Sequence, residues 1–132
     1  RFSKKELKSK SLLFLGTAFK PHTDDIRESV GISLINMISP IVKRITIFEP
    51  IAKENSINAL SKLNNVRFQK TRTPSINKNY DFMILATEYP MFLKIPYQNF
   101  KKLKDKVVFD GRNILNKDKL KKNGIEYIGI GK

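Results

Sequence analysis

The sequence predicts an α/β domain, a three-layer sandwich with a mostly parallel six-stranded sheet and helices on both faces. Three observations carry that expectation. Six short apolar runs of strand length alternate with stretches of helical spacing, the pattern of parallel strands joined by helical crossovers. The stretch Ser11–Ser29 runs from an apolar strand through a glycine and a polar loop to a helix start. That order makes an anion-binding corner, because free backbone N–H groups and the helix dipole point into the loop. Finally, 132 residues with 40% hydrophobic content suit one domain with a real core, and are short for an enzyme with two substrates.

The elements follow in order. Residues 1–10 form a polar lead-in, and Ser3 to Lys8 reads as the end of a helix continuing from a preceding part. The chain begins with Arg1 rather than Met, which leads to the expectation of a piece of something longer. Ser11 to Gly16 reads as a buried strand, apolar without strict alternation. Asp25 is the expected N-cap of the next helix, with Glu28 at capping-box spacing. That helix runs from Ile26 to Ser39, with Ile26, Val30, Leu34, Met37 and Ile38 near helical spacing. Pro40 punctuates it. Lys43 to Phe48 is the second strand, and Glu49-Pro50 opens a helix through about Leu63 that carries Ile57 and Leu60 inward.

Asn64-Asn65 turns the chain into a short third strand, Val66 to Phe68. Tyr80 to Ala86 is the fourth strand. Thr87 to Pro96 is a loop with a helical turn, and Tyr97 to Leu103 a short helix. Lys106 to Asp110, Ile114 to Lys122 and Ile125 to Ile130 complete the pattern as strand, helix and strand. Such a sheet is Rossmann-like and binds ligands beyond the carboxyl ends of its strands. Lys20, Glu88 and Arg112 each fall just after a strand, on loops at that edge, and Lys20 and Arg27 place two cations in the first corner. A phosphate-bearing ligand is the expected occupant.

Composition removes several functions. With no cysteine, disulfides, thiolate metal sites and a cysteine nucleophile are excluded, and the single His22 builds no histidine metal site. No run approaches transmembrane length, and no signal-peptide pattern opens the chain. The net charge of +14 comes from 20 Lys and 6 Arg against 12 acids. The lysines are scattered rather than gathered into a stripe, so the charge reads as a solvated surface that favours anionic ligands. A basic nucleic-acid-binding module is the rival reading from another class.

Individual residues have two readings each. Phe19 is either core or an aromatic packed on a base or sugar. Asp24 and Asp25 read as helix caps rather than a metal or paired-carboxylate site. Arg27 either meets the ligand or pairs locally with Asp24 or Glu28. Glu88 has no evident partner as a general base. Arg112 offers a planar fork for phosphate or carboxylate, just past Gly111, which is expected to turn the backbone sharply. The first turn holds Gly16 alone, so the dinucleotide phosphate fingerprint is missing. Glu49 mimics the ribose-binding acid in position but reads as structural or helix-capping.

Gly16-Thr17-Ala18-Phe19-Lys20-Pro21-His22-Thr23-Asp24-Asp25-Ile26-Arg27-Glu28-Ser29 resembles the motif that opens the C-terminal, nucleotide-sugar-binding domain of the UDP-glucose/GDP-mannose dehydrogenases. Thr87-Glu88-Tyr89-Pro90-Met91-Phe92 and Phe109-Asp110-Gly111-Arg112-Asn113 agree in order and spacing. The ending Gly124 to Gly131 is similar to the family's last strand. The resemblance implies a UDP-sugar-binding domain over residues 11–132 of a cytoplasmic enzyme of polysaccharide biosynthesis. It implies oxidation of the sugar C6 alcohol to a carboxylate in two hydride transfers to two NAD. The catalytic cysteine and lysine, most of the NAD site and a dimer-forming central helix would lie in a missing N-terminal part, making the intact enzyme a homodimer. By the same resemblance Phe19 and Lys20 contact the nucleotide sugar, Arg112 contacts the sugar near its reacting end, and Arg27 reaches NAD. The Thr87–Phe92 stretch looks more like the UDP-glucose branch than the GDP-mannose or UDP-N-acetylmannosamine branches. With neither a cysteine nucleophile nor a dinucleotide fingerprint, the 132-residue chain is expected to fold but to turn over no UDP-glucose with NAD. An absorbance assay for NADH on the purified chain checks this.

Overall fold

Strands β1 (Ser11–Leu15), β2 (Arg44–Phe48), β3 (Val66–Phe68), β4 (Phe82–Leu85), β5 (Val107–Asp110) and β6 (Glu126–Gly129) form one sheet, ordered β3-β2-β1-β4-β5-β6. A computed structural model describes residues 3–18, 24–26 and 29–129. Every pairing is parallel, with Leu12 opposite Ile45 on one side and Phe82 on the other. The sheet is thus all-parallel where a mostly parallel one was expected. The first strand is central and the two halves wind outward from it, which puts the topological switch between β1 and β4.

Both faces of the sheet are covered, which is why the strands read as continuous apolar runs. Leu13, Leu15, Phe48, Met83, Leu85 and Val108 pack on one face against Tyr89, Phe92, Phe100, Leu103 and Leu120. Leu12, Phe14, Ile45, Ile47, Phe82 and Val107 form the other face, under Ile35. The helices are α1 (Lys4–Leu7), α2 (Val30–Ile38), α3 (Lys53–Ala59) and α4 (Lys117–Lys122). Two 3-10 helices, Pro90–Lys94 and Tyr97–Lys102, join β4 to β5. Tyr89 and Phe92 meet edge to face at 5.5 Å, seating the first of these on the core.

Helix α2 departs from the expected helix in start and in buried face. It begins at Val30, not Ile26, because Ser29 rather than Asp25 is the cap: the Ser29 hydroxyl accepts from the Ile32 amide at 3.1 Å. The same hydroxyl donates to the Thr17 carbonyl at 2.5 Å, tying the helix start to the end of β1. Glu28, the other half of the expected capping box, lies outside the described residues. Gly31 and Ile35 are buried, whereas Val30 and Met37 are 63% and 68% exposed. The helix is apolar on more than one side, and its contact face is chosen by Gly31. A Cβ there would stand only 3.1 Å from the Gly16 carbonyl oxygen, so the glycine permits the close approach. Helix α3 starts at Lys53, later than Glu49-Pro50, and buries Ser56; Leu60 is buried beyond its end while Ile57 is 41% exposed.

Gly16 is the turn on which this packing closes. Its φ is +90°, and a Cβ on it would collide with Cβ of Thr87 at the end of β4. Gly16→Ala therefore combines left-handed backbone strain with overpacking and should destabilise the domain by about 2–4 kcal/mol. The exposed Met37→Ser should change stability by no more than about 0.5 kcal/mol. Urea unfolding followed by circular dichroism measures both.

Candidate functional site

The carboxyl edge of the sheet is assembled around Glu49, the residue after β2. Glu49 is 4% exposed yet remains a carboxylate, with donors from five residues. One oxygen accepts from the Thr17 amide at 2.6 Å and the Ala18 amide at 3.1 Å, and the Thr17 hydroxyl stands 3.2 Å away. The other accepts from the amides of Ile51 and Ala52 at 2.9 and 3.0 Å and from the Tyr89 hydroxyl at 2.5 Å. Burial works to raise the Glu49 pKa, but the Thr17 amide, Tyr89 and the Ala52 and Ile51 amides outweigh it. The carboxyl is held below its ordinary value. Burial, together with the neighbouring carboxylate, pushes the Tyr89 phenol far above its ordinary value, so it stays a donor. Of its two readings the structural one fits: Glu49 accepts the Ile51 and Ala52 amides that precede α3 rather than capping the helix, and the same group grips the loops after β1 and β4.

This arrangement bears on cofactor chemistry. In a dinucleotide-binding sheet the acid after the second strand holds a ribose, and the first turn offers its amides to phosphate. Here the acid is spent on internal donors, and the Thr17 and Ala18 amides are spent on the acid. The described residues at this edge do not fit a dinucleotide cradle. Among the described residues there is also no group of three or more His, Cys, Asp or Glu side chains placed to hold a metal ion. No helix among them is long and apolar enough to cross a membrane.

The next two loops meet at the same edge. The Thr87 hydroxyl donates to the Ala18 carbonyl at 3.1 Å, joining the end of β4 to the loop after β1. Arg112, two residues beyond β5, donates from Nε to the Ala86 carbonyl at 3.0 Å and stands 3.9 Å from Glu88 Oε1. The structure therefore brings Glu88 and Arg112 together, and Glu88 is a neighbour for the guanidinium rather than an isolated acid. The Arg112 loop is held by buried Asp110, which accepts from the Arg112 amide at 3.0 Å, the Leu115 amide at 2.8 Å and the Tyr127 hydroxyl at 3.1 Å. Burial and the Asp110 charge push the Tyr127 phenol up to about 12. The chain turns after β5 as expected, and the positive φ of the turn falls on Asn113 (56°); Asp110 and Asn113 shape the turn.

Phe19, Lys20 and Arg27 lie outside the described residues. The segment 24–26 between them is described: Asn55 of α3 donates to the Asp24 carbonyl at 2.9 Å, and the cap of the described helix that follows is Ser29 rather than Asp24 or Asp25. Sequence reasoning missed Tyr89, Ser56 and Asp110 as framework. Tyr89 and Asp110 sit inside motifs already noticed, but a buried hydroxyl or carboxylate has no periodicity to mark it. Arg112 also stands at the upper end of an open apolar groove of about 570 Å³, walled by Leu34, Ile38, Phe82, Ile84, Phe109 and Ile128. Those walls do not suit a diphosphate, which leaves the polar strand-end loops as the candidate site.

A doubly wound parallel sheet with polar loops meeting at its carboxyl edge defines the class: a Rossmann-like α/β domain. Residues 13–117 match the UDP binding domain of the UDP-glucose/GDP-mannose dehydrogenase family, and the chain belongs to that family. An uncharacterised protein of Methanocaldococcus jannaschii is 40% identical over 136 residues, covering 96% of this chain and 15% of its own length. The structure of a UDP-glucose dehydrogenase from Pyrobaculum islandicum superposes with TM-score 0.70 at 28% identity, over 93% of this chain and 26% of that one. That of a UDP-D-ManNAc dehydrogenase from Pyrococcus horikoshii gives 0.68 at 26% identity, over 95% and 26%. The chain thus spans about a quarter or less of each of these proteins.

Because Glu49 has a lowered pKa when folded, its contribution to stability is complete above the ordinary value of 4.5 and is lost as pH falls through the folded value. Glu49→Gln removes that contribution. The variant should melt lower at neutral pH and lose less of its Tm on acidification between about pH 5 and 3. Melting curves across that range compare the two slopes; parallel slopes would exclude Glu49 as the titrating group.

Proposed function

We propose that this chain is the UDP-sugar-binding domain of an NAD-dependent nucleotide-sugar dehydrogenase that oxidises C6 of UDP-glucose. The observation that carries the reading is the meeting of two motif loops at one sheet edge: Arg112 after β5 against Ala86 and Glu88 after β4. Residues 1–10 are read as the lead-in from a preceding region and 11–132 as the domain. NAD, the catalytic groups and the dimer contacts are assigned to the remainder of a longer polypeptide, in keeping with the quarter-length match to the known dehydrogenases. Within the domain, Phe19 and Lys20 are assigned to the nucleotide sugar, Arg27 to the NAD held opposite, and Arg112 to the sugar side of the ligand. UDP-glucose is favoured by the Thr87–Phe92 stretch, and UDP-N-acetylmannosamine is the alternative supported by the Pyrococcus horikoshii structure.

The physical roles follow from the groups present. A guanidinium anchored through Nε keeps a fixed orientation, which matters for a planar group recognising an anion. The net charge of +14 raises the local concentration of a doubly charged diphosphate around the domain. The domain alone offers only part of the walls of such a site, so its affinity should be weak. Titration of UDP into the isotope-labelled chain, followed by NMR, should give saturable shifts at Thr87–Tyr89 and Gly111–Asn113. Arg112→Ala should weaken UDP binding roughly 10-fold or more, and Arg112→Lys nearly as much, since lysine keeps the charge without the fork. Unchanged affinity in the alanine variant would remove Arg112 from the site.

A further inference from the structure

We propose that Glu49 and Tyr89 are positioning residues for the ligand site, acting through the backbone segment Ala86–Tyr89 on which Arg112 is hooked. The inference rests on the reading of Arg112 as a ligand contact. Arg112 is referenced to two pieces of backbone. Its own loop is fixed by Asp110, which accepts the Arg112 amide. Its guanidinium is fixed to the Ala86 carbonyl, which belongs to the neighbouring loop. At Ala86 that second loop leaves the sheet with a ladder bond from its amide to the Leu15 carbonyl at 2.8 Å; beyond Ala86 two side-chain bonds pin it, and both lead to the same carboxylate. Tyr89 donates directly to Glu49, and Thr87 donates to the carbonyl of Ala18, whose amide is in turn held by Glu49.

The materials of this clamp suit positioning. Tyr89 is 2% exposed, and its ring is wedged against Phe92, so the phenol has little freedom to seek another partner. A phenol on a carboxylate is a charge-assisted hydrogen bond, stronger than a neutral one. Removing the hydroxyl loosens the segment beyond Ala86; the Ala86 amide stays on Leu15, but the peptide that aims the Ala86 carbonyl at Arg112 loses its fixed end. Small displacements of a binding group are costly because its geometry is what recognition uses. Neither residue touches the ligand in this account; each acts only through Arg112.

Tyr89→Phe is the decisive variant, since it deletes one oxygen and keeps the ring in place. UDP affinity of the 132-residue chain is measured by NMR titration for wild type, Tyr89→Phe, Glu49→Gln, Arg112→Ala and the Tyr89→Phe/Arg112→Ala double variant. Ile125→Val, a mild core truncation at the opposite edge, is the stability control. Tyr89→Phe should weaken UDP binding about 2- to 10-fold in the wild-type background and not at all once Arg112 is alanine. Ile125→Val should leave the affinity unchanged at similar loss of Tm. Additive effects of the two substitutions, or equal weakening by Ile125→Val, would reduce Tyr89 to a purely structural role and overturn the proposal. Unchanged affinity in Tyr89→Phe, with Arg112→Ala still impaired, would overturn it while sparing the reading of the site. Unchanged affinity in Arg112→Ala would remove both. Should Glu49→Gln fail to fold, Tyr89→Phe alone decides.

Discussion

A carboxylate placed in an apolar setting costs free energy unless donors replace its water. Glu49 meets that condition with four backbone amides and a phenol, and each donor belongs to a strand-end segment that would otherwise have unsatisfied groups of its own. The dependence runs both ways. The Thr17 and Ala18 amides have left β1, and the Ile51 and Ala52 amides precede α3, so neither pair has a ladder partner. One charge therefore satisfies three segments, and the spacing between the ends of β1, β2 and β4 is set by the size of a carboxyl group.

That solution also separates this sheet from the dinucleotide-binding sheets whose strand order it shares. The same order, β3-β2-β1-β4-β5-β6, supports either chemistry. What differs is where the first turn's amides point. With an internal anion occupying the Thr17 and Ala18 amides, those two are not free for another anion, and the polar side chains of the edge come instead from the loops after β4 and β5. Arg112 stands at that place, with Glu88 beside it and Asp110 beneath its loop.

Much of the fold was legible because buried parallel strands leave an unmistakable trace. All six strands lie within one or two residues of the apolar runs that mark them, and the loops carrying Glu88 and Arg112 fall where the strand ends require. Helices were read less well, for a physical reason. In α2 the apolar residues exceed what one face accommodates, so spacing alone did not choose between Ile35 and Met37; a glycine contact did. Ser29 outcompeted Asp25 as cap because it has a tertiary partner, the Thr17 carbonyl, which no local pattern reveals. The candidate site was readable as far as motif loops go. The clamp beneath it was not, since its members are 32, 40 and 69 residues apart in the chain.

Those separations have a consequence for how the domain comes into being. Closing a long loop costs chain entropy before any contact repays it, and folds built from distant pairings form slowly. β1 finds β2 early in the chain but must wait for β4, with Ser11 and Asp81 70 residues apart where they bond. The contacts that tie the loops after β1, β2 and β4 to one another join different strands, whereas Glu49 to Ile51 and Ala52, and Asp110 to Arg112, are local. The local turns can form in advance, but the ties between the loops have no local precursor. The bonds of Thr87 to Ala18 and of Tyr89 to Glu49 cross the switch, so they come into existence when the two halves of the sheet join, and in unfolding they are lost when the halves part.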